Sequence, residues 1–89
     1  MHIQHKDGEF FIEADGKKTV LDYRISSGNM DIYHTFTPDD LRGQGLAEKL
    51  AIAAFEFAKK EGIKIVPTCP YIRDYFIPKH PEFDDIVEK

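Results

Sequence analysis

Leu46 to Glu61 reads as an amphipathic helix caught between two strand-like runs, and that order leaves few folds open. Leu46, Ala47, Leu50, Ala51, Ala54, Phe55 and Ala58 recur at steps of three and four, while Glu48, Lys49, Glu56, Lys59 and Lys60 fill the opposite face. One stripe must therefore be buried on a neighbouring layer. Gly62 stands where a left-handed cap ends a helix. Asp31 to Thr37, before the helix, is rich in β-branched and aromatic residues, and Ile63 to Val66 follows it as a short apolar run. Strand, helix, strand in this order requires a parallel pair joined by a crossover. Pro67 has no amide to donate, which places the second of these strands at a sheet edge.

The first thirty residues follow another pattern. Ile3 to His5, Glu9 to Ala14 and Lys18 to Ile25 are separated by Asp7-Gly8 and Asp15-Gly16, and Ser27-Gly28-Asn29 turns the chain into the strand before the helix. Asp-Gly between apolar runs signals a hairpin. The expected class is α/β in the α+β sense: a mostly antiparallel sheet with one parallel strand-helix-strand crossover. Thr37-Pro38-Asp39-Asp40 has the spacing of a capping box and predicts a helical turn, Pro70 opens a second helix to about Ile77, and Pro81 opens a short last one through Val87.

A chain of 89 residues has room for a single domain, 1–89, with one core, and 42% hydrophobic content supports packing over disorder. No apolar run approaches the roughly 18 residues that cross a bilayer, and Met1 to Asp7 lacks the apolar centre of a signal peptide, so the expected location is cytoplasmic, with no membrane partner. One cysteine excludes an internal disulfide and a zinc cluster of paired cysteines. Twelve basic against sixteen acidic side chains give a net charge of -4 without a basic block, which argues against nucleic acid. His2 and His5 lie near no carboxylate partner in the predicted first strand and read as surface, so no metal site is expected. Glu82, Asp84, Asp85 and Glu88 read as a solvated face.

The candidate chemistry starts at Arg42-Gly43-Gln44-Gly45-Leu46-Ala47, between strand and helix. Glycines let the main chain turn and bare its N–H groups, and the helix start adds unpaired donors and the positive end of its dipole, so an anion should dock there. A dinucleotide fingerprint would need a glycine where Glu48 stands, and a P-loop would need Gly-Lys-Ser/Thr. The segment instead resembles the acetyl-CoA loop of the GNAT superfamily of N-acetyltransferases, Gln/Arg-x-x-Gly-x-Gly/Ala, through Arg42, Gly45 and Ala47. With His34-Thr35-Phe36-Thr37 before it and Val66-Pro67-Thr68-Cys69-Pro70 after the helix, the chain resembles the small single-domain branch of that superfamily over roughly residues 10 to 83.

The resemblance implies a truncated GNAT-like fold, ending before the strands that help wall the acceptor groove in full-length members. It further implies acetyl-CoA or CoA as cosubstrate, with its diphosphate on Arg42, Gly43, Gln44, Gly45, Leu46 and Ala47 and its pantetheine arm along the backbone of Phe36 and Thr37. The implied activity is N-acetyl transfer to an amine; the alternative is a non-catalytic CoA-binding module. Because CoA is anionic and so is the chain, capture must rest on the loop donors and cations such as Arg42 or Lys49.

Cys69 would lie at the end of the second parallel strand, as the N-cap before Pro70, where a helix dipole favours a thiolate. It is a candidate nucleophile or a small apolar filler, and a cysteine at this place in the small branch is proposed to act near the acetyl group. By strict alternation His34 shares the apolar face with Ile32 and Phe36, which makes it either a core imidazole or a general base toward Cys69 or the amine. Tyr75 reads as core or cofactor packing, because the acid tyrosine of many GNAT enzymes corresponds in register to Phe76.

Overall fold

Two of the hairpins close on pairs of left-handed residues, Asp15 and Gly16 with φ of 54° and 74°, and Ser27 and Gly28 with φ of 52° and 79°. Positive φ at both central positions gives the turn whose twist matches that of the flanking strands. The structure, a computed structural model, describes residues 2–88. Its strands are β1 (Gln4–Lys6), β2 (Glu9–Ala14), β3 (Lys17–Ser26), β4 (Asn29–Phe36) and β5 (Lys64–Pro67), and its long helix is α1 (Leu46–Glu61). They form one sheet in the order β1-β2-β3-β4-β5, antiparallel up to β4 and parallel between β4 and β5. The α+β class and the single parallel crossover are as expected. Among the described residues no helix is long and apolar enough to cross a membrane.

One face of the sheet carries the core. Leu50, Ala51, Ala54, Phe55 and Ala58 of α1 are fully buried, and they meet Ile12, Leu21, Met30, Ile32 and Ile65 from four neighbouring strands. The C-terminal segment from Tyr71 onward completes this layer. It runs as a π-helical segment Tyr71–Phe76, one α-helical turn Ile77–Lys79 and a 3-10 helix Pro81–Ile86, and it lays Phe76 and Phe83 against Phe55 with ring centroids 4.9 and 5.3 Å apart. Val87 then bridges Ile65, and the Glu88 N–H donates to the Ile65 carbonyl at 2.8 Å, along the outer side of β5. That edge strand is covered over part of its length.

Three local expectations need correction. The turn after β4 is a 3-10 turn, Asp39–Leu41, preceded by Pro38 and without a side-chain cap, so Thr37 does not act as the capping residue. The second helix is wide-turned: the Ile77 N–H bonds to the Ile72 carbonyl, five residues back. Pro78 follows, and its missing donor and bulky ring disrupt the regular ladder of the preceding turn. The third concerns β4, where Ile32 lies opposite Tyr23 but His34 lies opposite Asp22, leaving Tyr33 as an extra, unpaired residue. This bulge shifts the alternation by one. Beyond it Thr35, opposite buried Leu21, faces the helix layer, while His34 and Phe36 are exposed beside Asp22 and Val20 on the uncovered face.

Phe55 is fully buried between the sheet and the C-terminal aromatics. Phe55→Ala is expected to lower unfolding stability by about 3–5 kcal/mol, read as a fall in the urea midpoint with the slope unchanged.

Candidate functional site

The β4–β5 ladder runs from Asn29 opposite Lys64 to Ile32 opposite Pro67 and stops there. Pro67 has no amide proton, the chain turns so that the Thr68 N–H bonds back to Val66, and the Cys69 N–H supplies the last link, to the Ile32 carbonyl at 2.9 Å. Past that point β4 continues through Tyr33–Phe36 still paired to β3 but with no strand on its other side. The two parallel strands thus open into a wedge with Cys69 at its apex.

At the wide end of the wedge lies the glycine loop. Gly43 and Gly45 have φ of 84° and 71°, a region where only glycine is free of a Cβ penalty. Gly45 is the N-cap of α1, and the first bond of the helix runs from the Lys49 N–H to the Gly45 carbonyl. The amides of Gly43, Gln44, Gly45, Leu46, Ala47 and Glu48 have no hydrogen-bond partner within the described residues. Leu41 and Leu46 anchor the loop from below, 1% and 3% exposed. Lys17 pairs with Asp40 at 2.8 Å from the start of β3. The Arg42 guanidinium donates to the Thr37 carbonyl at 3.2 Å and pairs with Asp39 at 3.2 Å, which fixes its stem but leaves the group largely exposed.

A cavity of about 540 Å³ joins these parts, bounded by Thr35, Phe36 and Thr37 on one side, by the loop and first turn of α1 below, and by Tyr71 and Tyr75 opposite. Its size suits a cofactor-sized ligand. Of the residues expected to hold a cofactor, Phe36, Thr37, Arg42, Gly43, Gly45, Leu46 and Ala47 line it; Gln44 does not. The row of free amides and the helix dipole suit a diphosphate, and the unpaired edge of β4 offers main-chain groups to an amide-bearing arm. An acyl-CoA fits this donor set.

The expected catalytic pair is separated. Cys69 is 4% exposed and does not line the cavity. Its sulfur meets the Thr35 hydroxyl at 3.5 Å, not an imidazole. His34 points to the uncovered face, where it lies opposite Asp22, a carboxyl whose pKa is raised by burial and next by the Glu9 charge. The reason is the Tyr33 bulge, which exchanges the faces of His34 and Thr35.

The sequence does not mark Thr35, Glu48, Tyr71 or His80. Tyr71 stacks on Tyr75 at 5.3 Å, and burial, with the Glu48 charge next, pushes its hydroxyl pKa up to about 12, so it stays protonated. Lys79 donates to the Tyr75 oxygen at 2.9 Å. His80 stacks on Phe76 at 4.2 Å, with Nε2 at 2.8 Å from Glu48 and Nδ1 at 3.1 Å from Glu82. The hydrogen bond to Glu48 is the main cause that raises the His80 pKa, opposed by burial and aided by Glu82. A histidine followed by Pro81-Glu82 hints at such a contact, but the Glu48 partner is distant in sequence.

Residues 9–86 match the sequence pattern of the family described as GCN5-related N-acetyl-transferase. The chain is 39% identical to Protein NATD1 of Xenopus tropicalis over 80 residues, covering 84% of this chain and 73% of the relative. It is 35% identical to Protein NATD1 of Gallus gallus over the same coverage. It also superposes on the NMR solution structure of a GCN5-like protein from Staphylococcus aureus with a TM-score of 0.79 and 27% identity, covering 98% of this chain and 87% of that one.

Because a Cβ at Gly45 meets no atom within 4 Å, replacing it strains the backbone without a clash. Gly45→Ala is expected to cost about 1–2 kcal/mol of stability, measurable by urea denaturation, while Phe36→Ala, on an exposed side chain, should change it little.

Proposed function

The chain belongs to the GCN5-related N-acetyltransferase family, and from that premise we propose that it transfers the acetyl group of acetyl-CoA to an amine. The observation that carries this reading is the run of unpartnered amides from Gly43 to Glu48 at the mouth of a wedge between two parallel strands. The loop holds the diphosphate, the backbone of Phe36 and Thr37 aligns the pantetheine arm, and the thioester is directed toward the apex near Thr35 and Cys69. Acetyl-CoA supplies the activated acyl group. The chain supplies alignment, which converts an encounter between thioester and amine into a fixed approach. The carbon–sulfur bond breaks as a carbon–nitrogen bond forms, and the proton lost by the amine ends on the CoA thiol.

Cys69 is the proposed nucleophile for a two-step route, in which its sulfur takes the acetyl group first and the amine then displaces it. Its near burial and its contact with the Thr35 hydroxyl favour a protected position close to the thioester. His34 lies on the uncovered face, and its proposed part is as a base toward the incoming amine rather than toward Cys69.

A second reading is a CoA-binding module without turnover, and it is favoured by the absence of an imidazole or carboxylate bonded to the Cys69 sulfur among the described residues. Release of CoA from acetyl-CoA across a panel of amines, well above the uncatalysed rate, excludes it.

Titration with CoA is expected to move the amide NMR signals of Gly43 to Glu48, and unmoved signals would refute the cofactor site. Incubation with acetyl-CoA followed by intact-mass measurement is expected to add one acetyl to the wild type and none to Cys69→Ala. If both stay unmodified yet acetylate an amine at equal rates, transfer is direct.

A further inference from the structure

Glu48 occupies the third position of α1, counted from its N-cap Gly45, and lines the same cavity as the loop amides. A glutamate at that position ordinarily folds back and accepts the N-cap amide, closing a donor that an anion would otherwise use. Here the carboxylate is taken elsewhere. Its Oε2 lies 2.8 Å from His80 Nε2, while His80 Nδ1 lies 3.1 Å from Glu82. A neutral imidazole has one donor and one acceptor, so a ring placed between two carboxylates satisfies both only when both nitrogens carry protons. The geometry is that of an imidazolium clamped in a double charge-assisted bond. The His80 ring is fixed on its face by stacking on Phe76, and its side chain is only 16% exposed.

We propose that His80 is a positioning residue for the diphosphate site: as an imidazolium it holds the Glu48 carboxylate in an ion pair, off the first-turn amides, and cancels its charge toward the incoming anion. This rests on the reading of the loop as a CoA site. The titratable groups that face the contact are Glu48 from α1, Glu82 from the 3-10 helix, and Tyr71 and Lys79 from the intervening segment, both of which feel the Glu48 charge. Tyr71 remains neutral and Lys79 remains cationic through the neutral range, so His80 is the group whose charge changes. When it loses its proton, one hydrogen bond to a carboxylate is lost and Glu48 becomes an uncompensated negative charge beside the diphosphate. Cofactor affinity therefore falls as pH rises through the raised imidazole pKa.

The test uses the full chain and dephospho-CoA, whose diphosphate is a diester with no proton to lose between about pH 5.5 and 8.5, and reads Kd by calorimetry for wild type, His80→Gln, Glu48→Gln and the double variant. At the acid end His80→Gln is expected to bind about five- to tenfold more weakly than wild type. In the Glu48→Gln background the same change should have no effect. Raising the pH should weaken the wild type toward His80→Gln and leave Glu48→Gln flat. Equal affinity of His80→Gln and wild type, or a His80→Gln penalty that persists without Glu48, overturns the proposal while leaving the CoA site standing. No binding by any variant at any pH overturns both. If His80→Gln does not fold, the wild type and Glu48→Gln profiles carry the test, and parallel profiles refute it.

Discussion

A missing amide proton at Pro67 shapes the functional end of this protein. Strand pairing between β4 and β5 ends at the residue opposite Ile32 because the proline has nothing to donate, and the chain turns aside at once through Thr68 to Cys69. The opening this leaves is stable because both walls are held from behind. β4 remains paired to β3 along its length, and the segment after Cys69 is pinned by Ile72 and Phe76, which are buried in the core. A gap between strands whose outer sides are fixed does not collapse when empty, so the main-chain groups that face it are available without a folding step. The helix that joins the two strands begins at the wide end of the gap, and its first amides are left unpaired by the same geometry.

Most of the architecture was legible because it is written locally. Asp15-Gly16 and Ser27-Gly28 announce their turns through the residues that tolerate positive φ, and Gly45 and Gly62 bracket α1 for the same reason. The parallel pair followed from the order of elements alone. The bulge at Tyr33 had no such signature, since a run of alternating residues reads identically with or without an inserted one, and the choice is made by the register against β3. That single residue moved Thr35 to the apex and His34 to the opposite face, so strict alternation misassigned both. The Glu48–His80 contact was hidden for a different reason: it closes a span of 32 residues and depends on how the C-terminal segment packs across α1.

Charge in this molecule is arranged on two scales. The whole chain carries a net charge of -4, which discourages anions at a distance, and salt at physiological strength confines that effect to about 8 Å. Within that distance the field is set by oriented amides, by the dipole of α1 and by the pairing of the nearest carboxylate. Acidic side chains around the loop are matched one by one: Asp39 with Arg42, Asp40 with Lys17, Glu48 with His80. A surface of negative net charge thus presents a spot that is locally receptive to an anion.

Val87 and Glu88 have a consequence beyond closing the fold. By bonding to Ile65 they occupy the rim of β5 with the chain's own backbone, so an extended segment from another molecule finds its first docking points taken. The opposite rim is β1, only three residues long and bearing Lys6 at its end, too brief and too charged to template an added strand. An open sheet invites side-by-side growth at its two outermost strands, and here one is partly occupied by the chain itself and the other kept short.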